Sequence, residues 1–168
     1  DEQKLWAQVK QVIEGAVDNM AQMKQREGDA LLREFEIRLR RIEELLARAE
    51  ERAPLRPKEA QERLNARLKP LLGDIPVDPQ RLAQEIAFLA ERLDCTEECV
   101  RLRAHLSQFR KLFVDAELAG RKLNFLLQEM NREVNTIGSK GNDAVIAEVV
   151  IELKDEVEKL REQVANVE

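Results

Sequence analysis

Apolar residues recur every three or four positions along most of the chain, which is the spacing of one face of an α-helix. In the N-terminal third they form two series, Leu5, Val9, Val12, Ala16, Met20 and Met23, then Leu31, Phe35, Leu39, Ile42, Leu46 and Ala49. The pattern predicts one long helix from about Leu5 to Arg52, which is either kinked at Gly28 or packed as an arm on a partner helix.

Prolines, glycines and capping residues divide the rest of the chain into shorter helices. Pro54 and Pro57 end the first helix, a second is expected over 58–72, and Asp78 with Pro79 begins a third that ends near 93. The last three are predicted at about 96–115 (capped by Asp94 or Thr96), 121–137 and 143–167, with a polar turn at 138–142. No alternating strand pattern stands beside these stripes.

The predicted fold class is therefore all-α, built from long antiparallel helical hairpins with an extended N-terminal helical arm. Three regions are expected: the arm at 1–53, short helices and proline-containing turns at 54–93, and a hairpin region with the candidate site at 94–168. Few glycines, prolines and aromatic residues favour this class over an all-β fold, and 43% apolar residues suffice for a core.

The charge pattern weighs mildly against a nucleic-acid-binding tail. The net charge is −5 and no segment is a basic block, so binding to a polyanion would require folding or oligomerisation to concentrate the cations. No apolar run is long enough to span a membrane. The chain starts at Asp1 with no signal-peptide pattern, which suggests a fragment of a longer protein, and the two cysteines favour a reducing cytoplasm.

The helix predicted at 96–115 carries the only histidine of the chain. Glu98, Arg101 and His105 lie together at the edge of its apolar stripe. Periodicity alone favours a half-buried, salt-bridged group that fixes helix packing, and a functional site is the alternative.

The helix predicted at 121–137 carries two carboxylates on one side. Glu129 and Glu133 are four residues apart and repel each other, so they are more readily explained around a bound cation, although Arg132 could balance them. Phe125 lies on the same side, which is unexpected for a surface that faces water. An oxygen-rich group with one imidazole suits Mg²⁺ or Mn²⁺.

The glycine-containing turn at 138–143 has the chemistry of a weak phosphate site. Backbone amides, Lys140, Ser139 and Asn142 could approach a phosphate, although a structural turn is the favoured interpretation and the spacing is not that of a P-loop. One histidine excludes a paired-histidine ribonuclease mechanism within one chain. Cys95 and Cys99 are interpreted as core residues rather than nucleophiles.

Two stretches resemble motifs of the YicC/YloC family, EECVRLRAHLSQF at 97–109 and the more distinctive GRKLNFLLQEMNREVNTIGSKGND at 120–143. The segment MKQREG at 23–28 and the C-terminal ELK…EKLREQVANVE are also similar, so the resemblance extends over nearly the whole chain.

The resemblance implies a bacterial, cytoplasmic endoribonuclease that depends on Mn²⁺ or Mg²⁺, forms hexamers and has an α/β portion before the helical region. The cleavage of single-stranded or hairpin RNA by metal-activated water is expected, and the alternative is a non-catalytic helical scaffold or RNA-binding adaptor. The implied catalytic and metal-binding residues are Glu98, His105, Glu129 and Glu133. The implied RNA-binding residues are Arg101, Arg132, Lys140, Asn135 and Ser139.

Overall fold

The computed structural model describes residues 2–72, 78–112 and 119–165. These ranges contain helices and short connections but no strand, which confirms the all-α class. The helices are α1 (Glu2–Arg52), a short 3₁₀ turn (Ala53–Leu55), α2 (Arg56–Leu72), α3 (Pro79–Leu93), α4 (Thr96–Leu112), α5 (Ala119–Gly141) and α6 (Ala144–Val164). The chain divides into two compact units, residues 1–37 and 38–168.

The second unit contains a four-helix bundle formed by residues 38–52 of α1 with α4, α5 and α6. Helix α5 packs against both α4 and α6, whereas α1 is joined to α4 and α6 by ion pairs such as Arg103–Glu50 and Arg41–Glu152. In these ion pairs, residues late in one helix contact residues in the first half of the other, so neighbouring helices of the bundle are antiparallel, as predicted. Fully buried apolar side chains fill the centre, among them Leu39, Ile42, Leu46, Leu102, Leu106, Met130, Val134, Val149 and Leu153.

Helix α1 is continuous through Gly28, where the two apolar series meet. Within residues 1–37 most large apolar side chains of its N-terminal half are exposed, including Leu5, Trp6, Val12, Met20 and Met23. Exposed apolar surface of this extent is typical of a face that binds a partner. Within the described ranges, no helix combines the length and apolarity needed to cross a bilayer.

Two predicted caps can be compared with the structure. Asp78 accepts a hydrogen bond from the amide of Gln80 at 2.9 Å, with Pro79 in the first helical position, as expected. At the start of α4 it is Asp94, not Thr96, whose side chain accepts, from the Thr96 amide at 2.8 Å. The predicted end of this helix near residue 115 lies outside the described residues.

The predicted turn at 138–142 is wrong, because Gly138 to Gly141 form the last turn of α5. The glycines let α6 approach α5 closely. A Cβ atom at Gly138 would lie 3.0 Å from a methyl group of Val150, and one at Gly141 would lie 2.9 Å from a methyl group of Ile146. The connection is reduced to Asn142 and Asp143, and the helical backbone at 138–141 does not form the proposed phosphate-binding loop.

Candidate active site on helices α4 and α5

Arg101 joins two acidic residues that are distant in sequence. Its Nη2 lies 3.3 Å from Oε1 of Glu98, one turn earlier on α4, and its Nε lies 3.0 Å from Oε1 of Glu133 on α5. A third ion pair links it to Glu97. These carboxylates raise the pKa of the Arg101 guanidinium, chiefly through Glu133.

Both of the joined carboxylates are buried. Glu98 is 3% exposed and Glu133 is 5% exposed, and Oε2 of each has no hydrogen-bond partner in the described structure. A buried carboxylate oxygen without a donor is costly, and such groups are rare in folded proteins unless a water, an ion or a function accounts for them.

Lys140, near the C-terminal end of α5, forms the second contact to Glu98. Its Nζ donates a hydrogen bond to Glu98 Oε1 at 2.9 Å, and this bond is the main cause of the raised pKa of Lys140. The side chains of Arg101 and Lys140 are 41% and 31% exposed, so the two cations lie between the buried acids and solvent. We call Glu98, Arg101, Glu133 and Lys140 the acid–arginine cluster.

The other predicted site residues lie outside this cluster. Glu129, one turn before Glu133, is partly exposed and lies 3.8 Å from Nη1 of Arg132, which is 76% exposed. His105 is half-buried and lies one turn after Arg101. Because α4 and α5 are antiparallel, the turns that carry His105 and Glu129 follow the Arg101–Glu133 pair in the same direction along the bundle.

Two further predicted RNA-binding residues are on the C-terminal half of α5. Asn135 is exposed, so its amide is free to contact a ligand. The hydroxyl of Ser139 is also exposed, but it donates to the carbonyl oxygen of Thr136 at 2.9 Å, which leaves it only as an acceptor.

The predicted metal ligands do not form a cation site within one chain. In the described ranges no three His, Cys, Asp or Glu side chains are arranged to hold a metal ion. Glu98 and Glu133 are instead bound to Arg101 and Lys140, so a cation could bind them only if those side chains moved. The binding of Mn²⁺ or Mg²⁺ stays a prediction.

The two cysteines are buried in the bundle, as predicted. A hydrogen bond from Cys99 lowers the pKa of the Cys95 thiol to about 7, with a further contribution from the nearby Arg56, and the same bond raises the pKa of Cys99. Their burial does not favour a nucleophilic role.

Arg56 is a buried cation that the sequence pattern does not predict. It is fully buried, donates from Nη1 to the carbonyl oxygen of Leu93 at 3.1 Å, and has an Nε without a partner among the described atoms. Burial lowers its pKa. Its position between Pro54 and Pro57 indicated a turn, and nothing in the local pattern indicated a buried cation.

The helices that carry this site match a known protein family. A family model described as "Endoribonuclease YicC-like, C-terminal" matches residues 49–168, which include α4, α5 and α6. The chain belongs to the YicC-like endoribonuclease family. The family resemblance noted at 97–109 and 120–143 is thereby confirmed.

Two relatives of this family bear the name "Probable endoribonuclease YicC". The protein from Clostridioides difficile (strain 630) is 38% identical over 169 residues, which cover 100% of this chain and 58% of the relative. The protein from Haemophilus influenzae is 42% identical over 96 residues, which cover 57% of this chain and 33% of the relative. The chain thus spans little more than half the length of its C. difficile relative.

Proposed function

We propose that this chain is the helical region of an endoribonuclease and that α4 and α5 form the surface on which RNA is cleaved. The observation that supports this most is the acid–arginine cluster, in which residues of both family motifs hold two buried, incompletely satisfied carboxylates. Clusters of perturbed and buried charges are typical of functional sites. The names of both relatives support RNA as the substrate class.

We assign positioning roles to Arg101 and Lys140. Their hydrogen bonds and ion pairs are directed at Glu98 and Glu133, so they fix the two carboxylates and carry their counter-charge. In this assignment the contact to an RNA phosphate falls to Arg132, whose guanidinium is the most exposed cation of the predicted set.

Glu129 and His105 are the accessible proton-transfer groups in this proposal. Both are only partly buried, whereas Glu98 and Glu133 are shielded by their cations. A positioned acid or base of this kind contributes about 100-fold or more to a rate. Either group could take a proton from the attacking oxygen or return one to the leaving oxygen of a phosphodiester.

A divalent cation would suit the negative charge of this surface, but the described carboxylates of one chain are not arranged to coordinate it. Four carboxylates (Glu97, Glu98, Glu129 and Glu133) face three cations (Arg101, Arg132 and Lys140), so a divalent ion would offset an excess of negative charge before a phosphate approached. No step of the proposed reaction is assigned to the metal, since its ligands are not assembled.

A non-catalytic scaffold or RNA-binding adaptor is the second candidate function. The observation that favours it is the ion pairing of Glu98 and Glu133, which is also what a purely structural charge group would show.

A cleavage assay with the intact protein separates the two functions. End-labelled hairpin RNA is incubated with Mn²⁺ or EDTA, and the rates of Glu129→Gln and His105→Asn are compared with that of Glu148→Gln, an exposed carboxylate on α6. We expect EDTA to abolish cleavage, Glu129→Gln to lower the rate about 100-fold or more, and the control to match the wild type. RNA binding without cleavage supports the adaptor, and wild-type cleavage by Glu129→Gln with His105→Asn contradicts the assigned roles.

We also propose that copies of the chain associate through the exposed apolar residues of 5–23, with six copies as the number that the family resemblance implies. The two free, buried cysteines fit the reducing cytoplasm expected for such an enzyme.

A further inference from the structure

Phe125 is exposed on a helix whose other large apolar side chains are buried. Its exposed fraction is 61%, whereas Leu123, Leu126 and Leu127 beside it are buried in the bundle. The packing of α5 therefore does not explain this aromatic side chain. It lies one turn before Glu129 and about 6 Å from it along the helix axis.

Two cations without partners accompany Phe125. Arg121 and Lys122, one turn earlier on α5, form no ion pair or hydrogen bond with any described residue. Arg101, Arg132 and Lys140 on the same two helices are all paired with carboxylates. Among the described residues, Arg121 and Lys122 thus offer two unpaired positive charges at the start of α5, which are suited to contacts with phosphates.

A concave surface brings these residues together. It has a volume of about 250 Å³ and is lined by Gln108, Leu112, Arg121, Lys122, Phe125 and Leu126. An aromatic face, two cations without a partner among the described residues and an amide lie in one concavity. Proteins bind unpaired nucleotides with such groups, by stacking on the ring and ionic contacts to the backbone.

We propose that this surface, the Phe125 pocket, binds an unpaired nucleobase of RNA, with the base stacked on Phe125 and the adjoining phosphates at Arg121 and Lys122. The choice of RNA rests on the proposed function. A base held here places the next part of the strand towards Glu129 and Arg132. The bases of a duplex are stacked on one another and do not reach such a surface, so the pocket selects single-stranded or looped RNA.

Binding measurements on the intact protein test the pocket directly. The dissociation constants of a labelled 12-nucleotide single strand and of the matching duplex are measured by fluorescence anisotropy, in EDTA to prevent cleavage. Phe125→Ala is compared with Phe88→Ala, an equally exposed phenylalanine on α3. We expect Phe125→Ala to weaken single-strand binding about tenfold or more and to leave duplex binding nearly unchanged, and we expect Phe88→Ala to have no effect.

A spectroscopic variant gives an independent readout. Trp6 is the only tryptophan of the chain, so Phe125→Trp in a Trp6→Phe background places a single reporter in the pocket. Stacking of a base should quench its fluorescence in proportion to bound single strand. Mass photometry of Phe125→Ala, in which Trp6 is unchanged, shows whether the loss of Phe125 alters self-association.

The outcomes separate this inference from the proposed function. Single-strand affinity that Phe125→Ala leaves unchanged, or a changed oligomeric state with unchanged affinity, overturns the pocket even if the wild type cleaves RNA. Binding that depends on Phe125 in a protein that does not cleave RNA supports the pocket and contradicts the endoribonuclease.

Discussion

The ion pairs between α1 and α6 and those between α4 and α5 differ in how fully their carboxylates are satisfied by hydrogen bonds. The α1–α6 seam consists of pairs that each join an α1 arginine to an acid of α6 or to its N-cap: Arg38–Glu156, Arg41–Glu152, Arg48–Glu148, Arg48–Glu152 and Arg52–Asp143. Even its most buried glutamate, Glu156, receives bonds from both Arg38 and Lys159. Among the described carboxylates, only Glu98 and Glu133 of the acid–arginine cluster keep a buried oxygen without a donor.

Similar residues therefore form satisfied ion pairs in the seam and incompletely satisfied ones in the cluster. Most seam pairs are partly exposed, and pairs of that kind set helix register while they add little stability. The cluster keeps two acids away from water at a cost that packing alone does not require. The function proposed for α4 and α5 would account for that cost, whereas the seam needs no such explanation.

The largest expected effect comes from removal of the central arginine of the cluster. Arg101→Leu leaves Glu98 paired with Lys140 alone and removes the ion pair of the buried Glu133, so we expect a larger loss of stability than from any substitution in the seam. Arg41→Leu in the seam is the matched control, since Arg41 is similarly exposed and pairs with Glu44 and Glu152. Urea unfolding measures both, and equal losses would remove the distinction between the two regions.

A smaller effect is expected at Asp143, where the seam ends. Its carboxylate binds Arg52 at 2.6 Å and also caps α6 by accepting from the amides of Val145 and Ile146. Asp143→Asn keeps a capping side chain but loses the charge, so it should cost about 1–2 kcal/mol, and Asp143→Ala about 1 kcal/mol more. Calorimetry or urea unfolding at pH 7 measures the free energy of unfolding of both variants. It shows whether the cap and the ion pair contribute separately in these amounts.

The smallest expected effect is a pH dependence of the stability, and it also arises from Asp143. The hydrogen bond to Arg52 is the main cause that lowers the pKa of Asp143 below its ordinary value. A carboxyl group with a lowered folded-state pKa contributes its full stability above the unfolded-state value of about 3.9 and loses it as the pH falls through the folded-state value. The difference between wild type and Asp143→Asn should therefore be constant from pH 7 to 5 and shrink below about pH 4. A difference that grows on acidification would contradict this sign.

The sequence predicted the bundle well because its evidence is local. Helical periodicity, the Pro54–Pro57 segment and the Asp78 cap each depend on residues within one or two turns. The edge position of Glu98 beside Arg101 could be predicted for the same reason. The continuation of α5 through Gly138 and Gly141 could not be predicted locally. These glycines are required by the close approach of Val150 and Ile146 on another helix.

The candidate site depends on the register between helices, which periodicity does not specify. Nothing local indicates that Arg101 joins Glu98 to Glu133 or that Lys140 contacts Glu98. The same holds for the burial of Arg56 and its hydrogen bond to the carbonyl oxygen of Leu93. The sequence shows Phe125 as an unexpected aromatic residue on a charged side of its helix. The cavity beside it could not be predicted, because Gln108 and Leu112 on α4 also line it.

Crosslinking tests most directly whether α4 and α5 are the RNA surface. Single-stranded RNA that carries 4-thiouridine is irradiated with the intact protein, and the modified peptides are mapped by mass spectrometry. We expect crosslinks at Phe125 and at neighbouring residues of α4 and α5, which are lost in Phe125→Ala, and none at the α1–α6 seam. Crosslinks concentrated on the seam or on α2 and α3, with α5 unmodified, would contradict it.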